Sequence, residues 1–246
     1  METIDTLKNG YKIIQDSQRF KFGIDAILLS DFAFDFIRKD DLVFDLGTGN
    51  GIIPFMLGKS RAKMITGLEI QKENVELAKK SVLMNELEEK IKIVHGDIKT
   101  VSNDFEKHSF DVVLSNPPYM INEHGKQNPL DAKAIARHEV LCTLEDVITA
   151  ADYLLGTHGK FFMIHRPFRI PEIFSSMIKH KIEPKRMQLI HPFAGKEPNL
   201  FLIEGRKNAN PRLKIEESLN VYEKSVDGKQ PEYTKAVEDI YNRKWE

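Results

Sequence analysis

Asp41-Leu42-Val43-Phe44-Asp45-Leu46-Gly47-Thr48-Gly49-Asn50-Gly51 is the stretch on which the fold turns. Its first half is a short apolar run, the pattern of a buried strand. Its second half is a Gly-x-Gly-x-Gly turn, and a helical segment follows from Ile52 to about Lys59. Alternate glycines let the backbone turn tightly and come close to a ligand. By itself the turn does not choose that ligand, because dinucleotide enzymes use a similar one.

Downstream, strand-like and helix-like segments alternate. Strands are expected at Lys63 to Glu69, Ile91 to Val94, Phe110 to Leu114 and Lys160 to His165. Helices are expected at Glu73 to Met84, Leu144 to Leu155 (stopped by Gly156) and Ile170 to Lys179. Such alternation implies right-handed crossovers and a mostly parallel sheet covered on both faces. Met187 to His191 and Asn199 to Glu204 are strand-like runs with no helix between them, which predicts an antiparallel hairpin at one sheet edge. The fold class is therefore α/β: Rossmann-like, a mostly parallel seven-stranded sheet with helices on both faces and a terminal antiparallel hairpin. Upstream, residues 1–40 read as a cap segment, a hairpin or loop and then a helical stretch from Asp25 to Ile37. Residues 41–206 read as the core, and 207–246 as a charged extension outside it.

Three carboxylates follow the first three core strands in turn. Asp45 stands two positions before Gly47. Glu69 ends the second strand, where a carboxylate can accept from both hydroxyls of a ribose. Asp97, in Gly96-Asp97-Ile98, follows the third and can accept from an adenine amino group; alone it would read as a helix cap or turn residue. With the Gly-x-Gly-x-Gly spacing, this set points to S-adenosyl-L-methionine. The candidate cofactor residues are Asp45, Gly47, Thr48, Gly49, Asn50, Gly51, Glu69, Ile70, Asp97, Ile98 and Asn116.

Ser115-Asn116-Pro117-Pro118-Tyr119 follows the fourth strand. One reading is a proline-rich turn that ends a strand. The other is a site that methylates a planar nitrogen. An exocyclic amine of a base is planar because its lone pair is delocalised into the ring. Two acceptors that take both of its N–H groups favour a pyramidal nitrogen and stabilise its developing positive charge. The Asn116 side-chain oxygen and the Pro117 carbonyl can do this, and the rigid proline φ fixes the direction of the carbonyl. Tyr119 can stack on the ring. Asn116, Pro117, Pro118 and Tyr119 are the candidate catalytic residues. A base must be unpaired or flipped out to reach them, which an RNA loop allows more cheaply than a duplex.

Composition sets the limits. The formal net charge of −1 gives no global field, so a nucleic-acid partner needs local basic patches. Cys142 is the only cysteine, which excludes an intramolecular disulfide and suits a reducing cytosol; it reads as a small core residue. The eight histidines show no ligand spacing, so no metal is expected. The N-terminus lacks the pattern of a signal peptide and no run is long and apolar enough to span a membrane, so a cytoplasmic location is expected. No feature of the chain sets an oligomeric state.

The glycine and Asn-Pro-Pro-Tyr motifs together resemble the class I Asn-Pro-Pro-Tyr methyltransferases, and more closely the bacterial tRNA1(Val) (adenine-37-N6)-methyltransferase family. Arg19-Phe20-Lys21-Phe22-Gly23-Ile24-Asp25-Ala26-Ile27-Leu28-Leu29 resembles that family's N-terminal motif. Arg137-His138-Glu139 resembles its segment after the catalytic loop, and Asn220-Val221-Tyr222 with Tyr233-Thr234 its C-terminal end. The resemblance covers essentially the whole chain. It implies N6-methylation of the adenine beside the anticodon, with Phe22 and Asp25 closing over the methionine end of the cofactor; read alone, these are a core aromatic and a helix N-terminal charge.

For tRNA contact the candidates are local basic groups: Arg166, Arg169, Lys179, His180, Lys181, Lys185 and Arg186; Lys126, Lys133, Arg137 and His138; and Arg206, Lys207, Arg212 and Lys214. Each alone reads as part of a solvated face. A protein-glutamine N5-methyltransferase of release factors shares the motif, but the first core strand near Asp41 leaves little room for the helical domain such enzymes usually carry in front. A ribosomal-RNA guanine N2-methyltransferase and a non-catalytic RNA-binding scaffold also stay open.

Overall fold

A computed structural model describes residues 2–16, 23–118, 142–224, 230–243 and 245. A hairpin of β1 (Glu2–Thr6) and β2 (Lys12–Asp16) comes first, then α1 (Ile24–Phe34). The main sheet and its helices follow as β3 (Leu42–Leu46), α2 (Ile52–Met56), β4 (Met64–Glu69), α3 (Lys72–Met84), β5 (Ile91–His95), α4 (Val101–Asp104) and β6 (Phe110–Ser115). After them come α5 (Leu144–Leu154), β7 (Leu155–His165), α6 (Ile170–Lys179), β8 (Ile182–Phe193), β9 (Leu200–Lys207), β10 (Lys214–Ile215), β11 (Leu219–Tyr222) and α7 (Lys235–Tyr241).

The expected seven strands form the body of the sheet in the order β8-β9-β7-β6-β3-β4-β5. β9 lies antiparallel to both β7 and β8, the expected terminal hairpin; the other pairings among these strands are parallel. Two short strands, β10 and β11, extend the sheet by pairing in parallel with β8. Side chains alternate across the pleat. Val43, Val112, Leu114, Phe162 and Ile164 join α1, α2 and α3 in one core cluster. Phe44, Leu46, Val113, Phe161 and Met163 join α4, α5 and α6 in the other.

Three differences from expectation have physical causes. β8 starts at Ile182, not Met187, because the register shift between Pro184 and Arg186 lets the strand carry a proline that lacks the ladder N–H. Gly156 does not stop α5, since Leu155 is already extended (φ −71°, ψ 129°) and passes directly into β7. The segment after 207 does not lie outside the core: Leu219, Val221, Val237 and Trp245 are buried within it. Thr234 closes this arrangement, donating to the Asn220 carbonyl (2.7 Å) and capping α7 through the Val237 N–H (3.4 Å). The ring of Tyr233 stacks on Tyr222 at 5.3 Å.

The N-terminal hairpin docks on the same face. Asn9 donates to the Phe55 carbonyl of α2 at 2.8 Å. The Ile14 N–H donates to Ser81 Oγ of α3 at 2.9 Å, and Asn85 exchanges bonds with both main-chain groups of Lys12. Among the described residues no helix is long and apolar enough to cross a membrane.

Candidate active site

β3, β4, β5, β6 and β7 all end at one edge of the sheet. From β3 the chain moves to β4 and β5, then returns to β6 on the other side of β3. That reversal opens the crevice where open α/β sheets bind ligands. Leu46 and Ser115 are in register across it, and Ser115 Oγ donates to the Leu46 carbonyl at 3.1 Å. Asn116 therefore leaves β6 beside the point where Gly47 leaves β3.

The turn needs its glycines. Gly47, Gly49 and Gly51 have φ of 77°, 58° and 88°, a region in which an L side chain is strained. A Cβ on Gly51 would also press on Phe55 at 3.1 Å, whereas one on Gly49 would meet no atom of the described residues within 4 Å. The Gly47 and Thr48 N–H groups both donate to the Leu68 carbonyl (3.0 and 2.9 Å), tying the turn to β4. Thr48 is buried directly on Gly67, where a Cβ would lie 2.8 Å from the threonine hydroxyl. Nothing in the motif itself pointed to Gly67, and only the pairing of β3 with β4 reveals it.

Asp45 is fully buried, and neither of its carboxylate oxygens has a hydrogen-bond partner among the described residues. Burial pushes its pKa up to about 7; the nearby Thr48 hydroxyl works against that rise and the Glu69 carboxylate adds to it. A buried carboxylate without a donor is costly unless a ligand supplies one. Glu69, also buried, accepts from the Gly49 N–H (2.9 Å, Oε2) and the Gln71 N–H (2.8 Å, Oε1). A carboxylate has about four lone-pair sites, so both oxygens keep capacity for hydroxyl donors. Asp97 caps the 3-10 turn 98–100 by accepting from the Lys99 N–H at 2.9 Å, its local role, and stays partly exposed at the same edge. The Ile70 carbonyl is bonded to His95 Nε2 (3.0 Å), which joins the ends of β4 and β5. Asn50 donates to Gln15 of the N-terminal hairpin at 3.3 Å, a contact that no feature of the sequence signalled.

At the end of β7, His165 is buried and its Nδ1 accepts the Arg166 N–H at 2.7 Å. Burial, with Arg169 adding, drives its pKa down to about 4, so the ring is neutral. Cys142 is half-buried before α5, and desolvation pushes its thiol up to about 12, leaving it inert. Phe22, Tyr119, Lys126, Lys133 and Arg137-His138-Glu139, all singled out from the sequence, lie outside the described residues. Asp25 opens α1, its Oδ1 accepting from the Ala26 N–H at 3.0 Å.

The basic groups among the described residues do not form one patch. Arg166 and Arg169 lie at the carboxyl edge. Lys179, His180 and Lys181 precede β8 at the opposite edge, where with Lys107 and Lys207 they line a cavity of about 300 Å³ away from the glycine turn. Several charges are already paired: Lys179 with Glu145, Lys207 with Asp152, and Arg186 and Arg206 with the buried Glu204 at 3.0 and 2.9 Å.

A glycine turn over Gly49, a buried carboxylate at Asp45 with no donor among the described residues, a second buried carboxylate at Glu69 and an Asn-Pro-Pro exit one strand away stand together at this edge, an arrangement that suits a nucleoside cofactor and a methyl acceptor. A family model described as "Methyltransferase small domain" matches residues 25–181, and the chain belongs to that family. Its methyl donor is S-adenosyl-L-methionine, which the orphaned Asp45 and the Glu69 acceptor fit. A protein of Histophilus somni named tRNA1(Val) (adenine(37)-N6)-methyltransferase is 32% identical over 218 residues, covering 86% of this chain and 89% of that one. Among solved structures, a predicted O-methyltransferase from Agrobacterium tumefaciens has a TM-score of 0.69 at 23% identity, covering 89% and 96% of the two chains. A geranyl diphosphate C-methyltransferase from Streptomyces coelicolor, solved with S-adenosyl-L-homocysteine, has a TM-score of 0.56 at 12% identity, covering 73% and 80%. These two likenesses concern the fold.

Proposed function

We propose that this methyltransferase acts on N6 of an adenine in tRNA, at adenine 37 of tRNA-Val, in the cytoplasm. The observation that carries the reading is the Leu46–Ser115 register, which brings Asn116 and Pro117 to the crevice beside the glycine turn. The name of the relative from Histophilus somni supports the choice of substrate.

The bound cofactor supplies an electrophilic methyl group. The chain's own residues bind and orient. Asp45 receives the cationic amino-acid end of the cofactor, the backbone of Gly47, Thr48, Gly49, Asn50 and Gly51 makes the close approach, and Phe22 and Asp25 close over that end. Glu69 accepts from the ribose hydroxyls and Asp97 from the adenine amino group, with Ile70 and Ile98 against the base. Asn116 Oδ1 and the Pro117 carbonyl take the two N–H groups of the target amine, aiming its lone pair. Pro118 stiffens the turn and Tyr119 stacks on the target base. What remains is proximity. No nucleophilic side chain or strong base is needed, because the proton leaves after methyl transfer.

The test is incubation with labelled S-adenosyl-L-methionine and either total RNA or whole protein extract, then digestion and identification of the modified species. N6-methyladenosine in tRNA is expected; methylglutamine or N2-methylguanosine would overturn the reading. Asn116→Ala should abolish turnover and still bind S-adenosyl-L-homocysteine, and normal turnover would remove the amine clamp. Binding of tRNA should weaken steeply with added salt.

A further inference from the structure

Phe168 is 52% exposed on the 3-10 turn Pro167–Arg169, immediately after β7 at the carboxyl edge. The turn is built to hold that ring outward. Pro167 fixes φ at its start. Arg169, whose side chain is only 12% exposed, grips Glu172 through two bonds, Nε to Oε2 (2.9 Å) and Nη2 to Oε1 (2.7 Å). Arg166, in front of the turn, is anchored by its own Nη1, which donates to the Asn199 carbonyl at 2.9 Å. A large apolar ring is thus displayed to water on a rigid support, between two arginines.

Its place relative to the Asn-Pro-Pro motif follows from register. Ser115, the last residue of β6, pairs with Met163, two residues before the end of β7, so the Asn-Pro-Pro segment and the turn leave neighbouring strands at the same edge. Neighbouring strands lie about 4.8 Å apart, which puts the turn within reach of a nucleotide next to the one in the pocket. The ring of Tyr233, by contrast, is stacked between Tyr222 and Tyr241, each at 5.3 Å. Phe168 has no ring stacked on it among the described residues.

Resting on the RNA reading above, we propose that the Arg166–Arg169 turn is an RNA subsite, in which Phe168 stacks on an unpaired base flanking the target and Arg166 contacts the adjoining phosphate. A π-face and a fixed cation side by side are what single-stranded nucleic acid requires. Phenylalanine has no hydrogen-bonding group, so the subsite is indifferent to which base it receives.

The experiment compares wild type, Phe168→Leu and Phe168→Trp, measuring steady-state methylation of a tRNA transcript and S-adenosyl-L-homocysteine affinity. Leucine keeps the apolar bulk without the π-face; tryptophan keeps the face. Phe168→Leu should raise KM for tRNA about tenfold, with kcat and S-adenosyl-L-homocysteine affinity unchanged, and Phe168→Trp should restore KM. Wild-type kinetics in Phe168→Leu, or an equal loss in Phe168→Trp, would overturn the stacking role while the tRNA reading stands. A wild-type protein that neither binds nor methylates tRNA would overturn both. Arg166→Ala should lower the slope of log affinity against log salt by about one, and an unchanged slope would dismiss the phosphate contact.

Discussion

Gln15 and Asn50 meet across 35 positions of chain, with Asn50 Nδ2 donating to Gln15 Oε1 at 3.3 Å. Gln15 is buried and also donates to Asp5, so the glycine turn is braced by a hairpin that is itself clipped to α2 and α3. Gln15→Ala removes the brace and leaves every candidate cofactor residue in place. We expect S-adenosyl-L-homocysteine to bind about three- to tenfold more weakly, the worth of one net hydrogen bond. Calorimetry on the two proteins decides it, and equal affinities would dismiss the coupling.

Gly67→Ala should destabilise the protein by about 1–3 kcal/mol, because the new methyl must share space with Thr48, whose Oγ1, Cβ and Cγ2 would lie 2.8–2.9 Å away. The clash is pairwise, so Thr48→Gly in the same chain should recover part of the loss. A double-mutant cycle in urea reads the coupling, and strict additivity of the two substitutions would show that Thr48 is not the obstacle.

Asp45 gives a pH dependence with a definite sign. Its folded pKa is raised to about 7 from an ordinary value of 3.8. Between those values the folded state holds a proton that the unfolded state has lost, so ligand-free stability falls as pH rises through this window. The slope approaches about 1.4 kcal/mol per pH unit where the difference in bound protons nears one. Asp45→Asn should remove that slope and leave a ligand-free protein more stable than wild type near neutral pH. A cationic ligand beside Asp45 pulls its pKa down, so wild type should release a proton on binding the cofactor, which calorimetry in two buffers of different ionisation enthalpy detects. Identical stability profiles for wild type and Asp45→Asn would contradict the assignment.

Trp245 packs edge-on against Phe34 at 5.2 Å and is fully buried. Trp245→Ala should cost about 3–5 kcal/mol in chemical denaturation. Trp245→Phe should be far milder, because the indole N–H has no hydrogen-bond partner among the described residues. A loss from the alanine variant under about 1 kcal/mol would mean that the segment after 207 is dispensable to the core.

What could be read from sequence divides along physical lines. β3, β4, β5 and β6 are mostly apolar or alternating runs ending in or followed by a glycine, carboxylate or asparagine, and the chain returns to the same edge after each, so Asp45, Glu69, Asp97 and Asn116 could be grouped without coordinates. The first half of β8 was hidden by Pro184, a residue that ordinarily argues against a strand. β10 and β11 have two and four residues, too few for any period to show. The buried residues of the tail are scattered among charges, so burial there follows from tertiary packing alone. Arg186 and Arg206 read as solvent-facing charge because nothing local announces that Glu204 is buried between them. Gln15 carries no local signal either, and its role exists only once the hairpin has docked.

The docking of the C-terminal tail on α1 bears on how the chain is made. Arg243 bonds Asp31 at 2.6 Å across 212 positions, and Trp245 covers Phe34. During synthesis α1 emerges well before the tail, apolar on most of its surface, with Phe32, Ala33 and Phe34 all destined for burial. Its last partners leave the ribosome some two hundred residues later. At about 5–20 residues per second that is a wait of roughly ten to forty seconds. Contacts of such long sequence separation form late and slowly, so the part of α1 that Arg243 and Trp245 cover stays open to chaperones or to misassociation until those residues have been made.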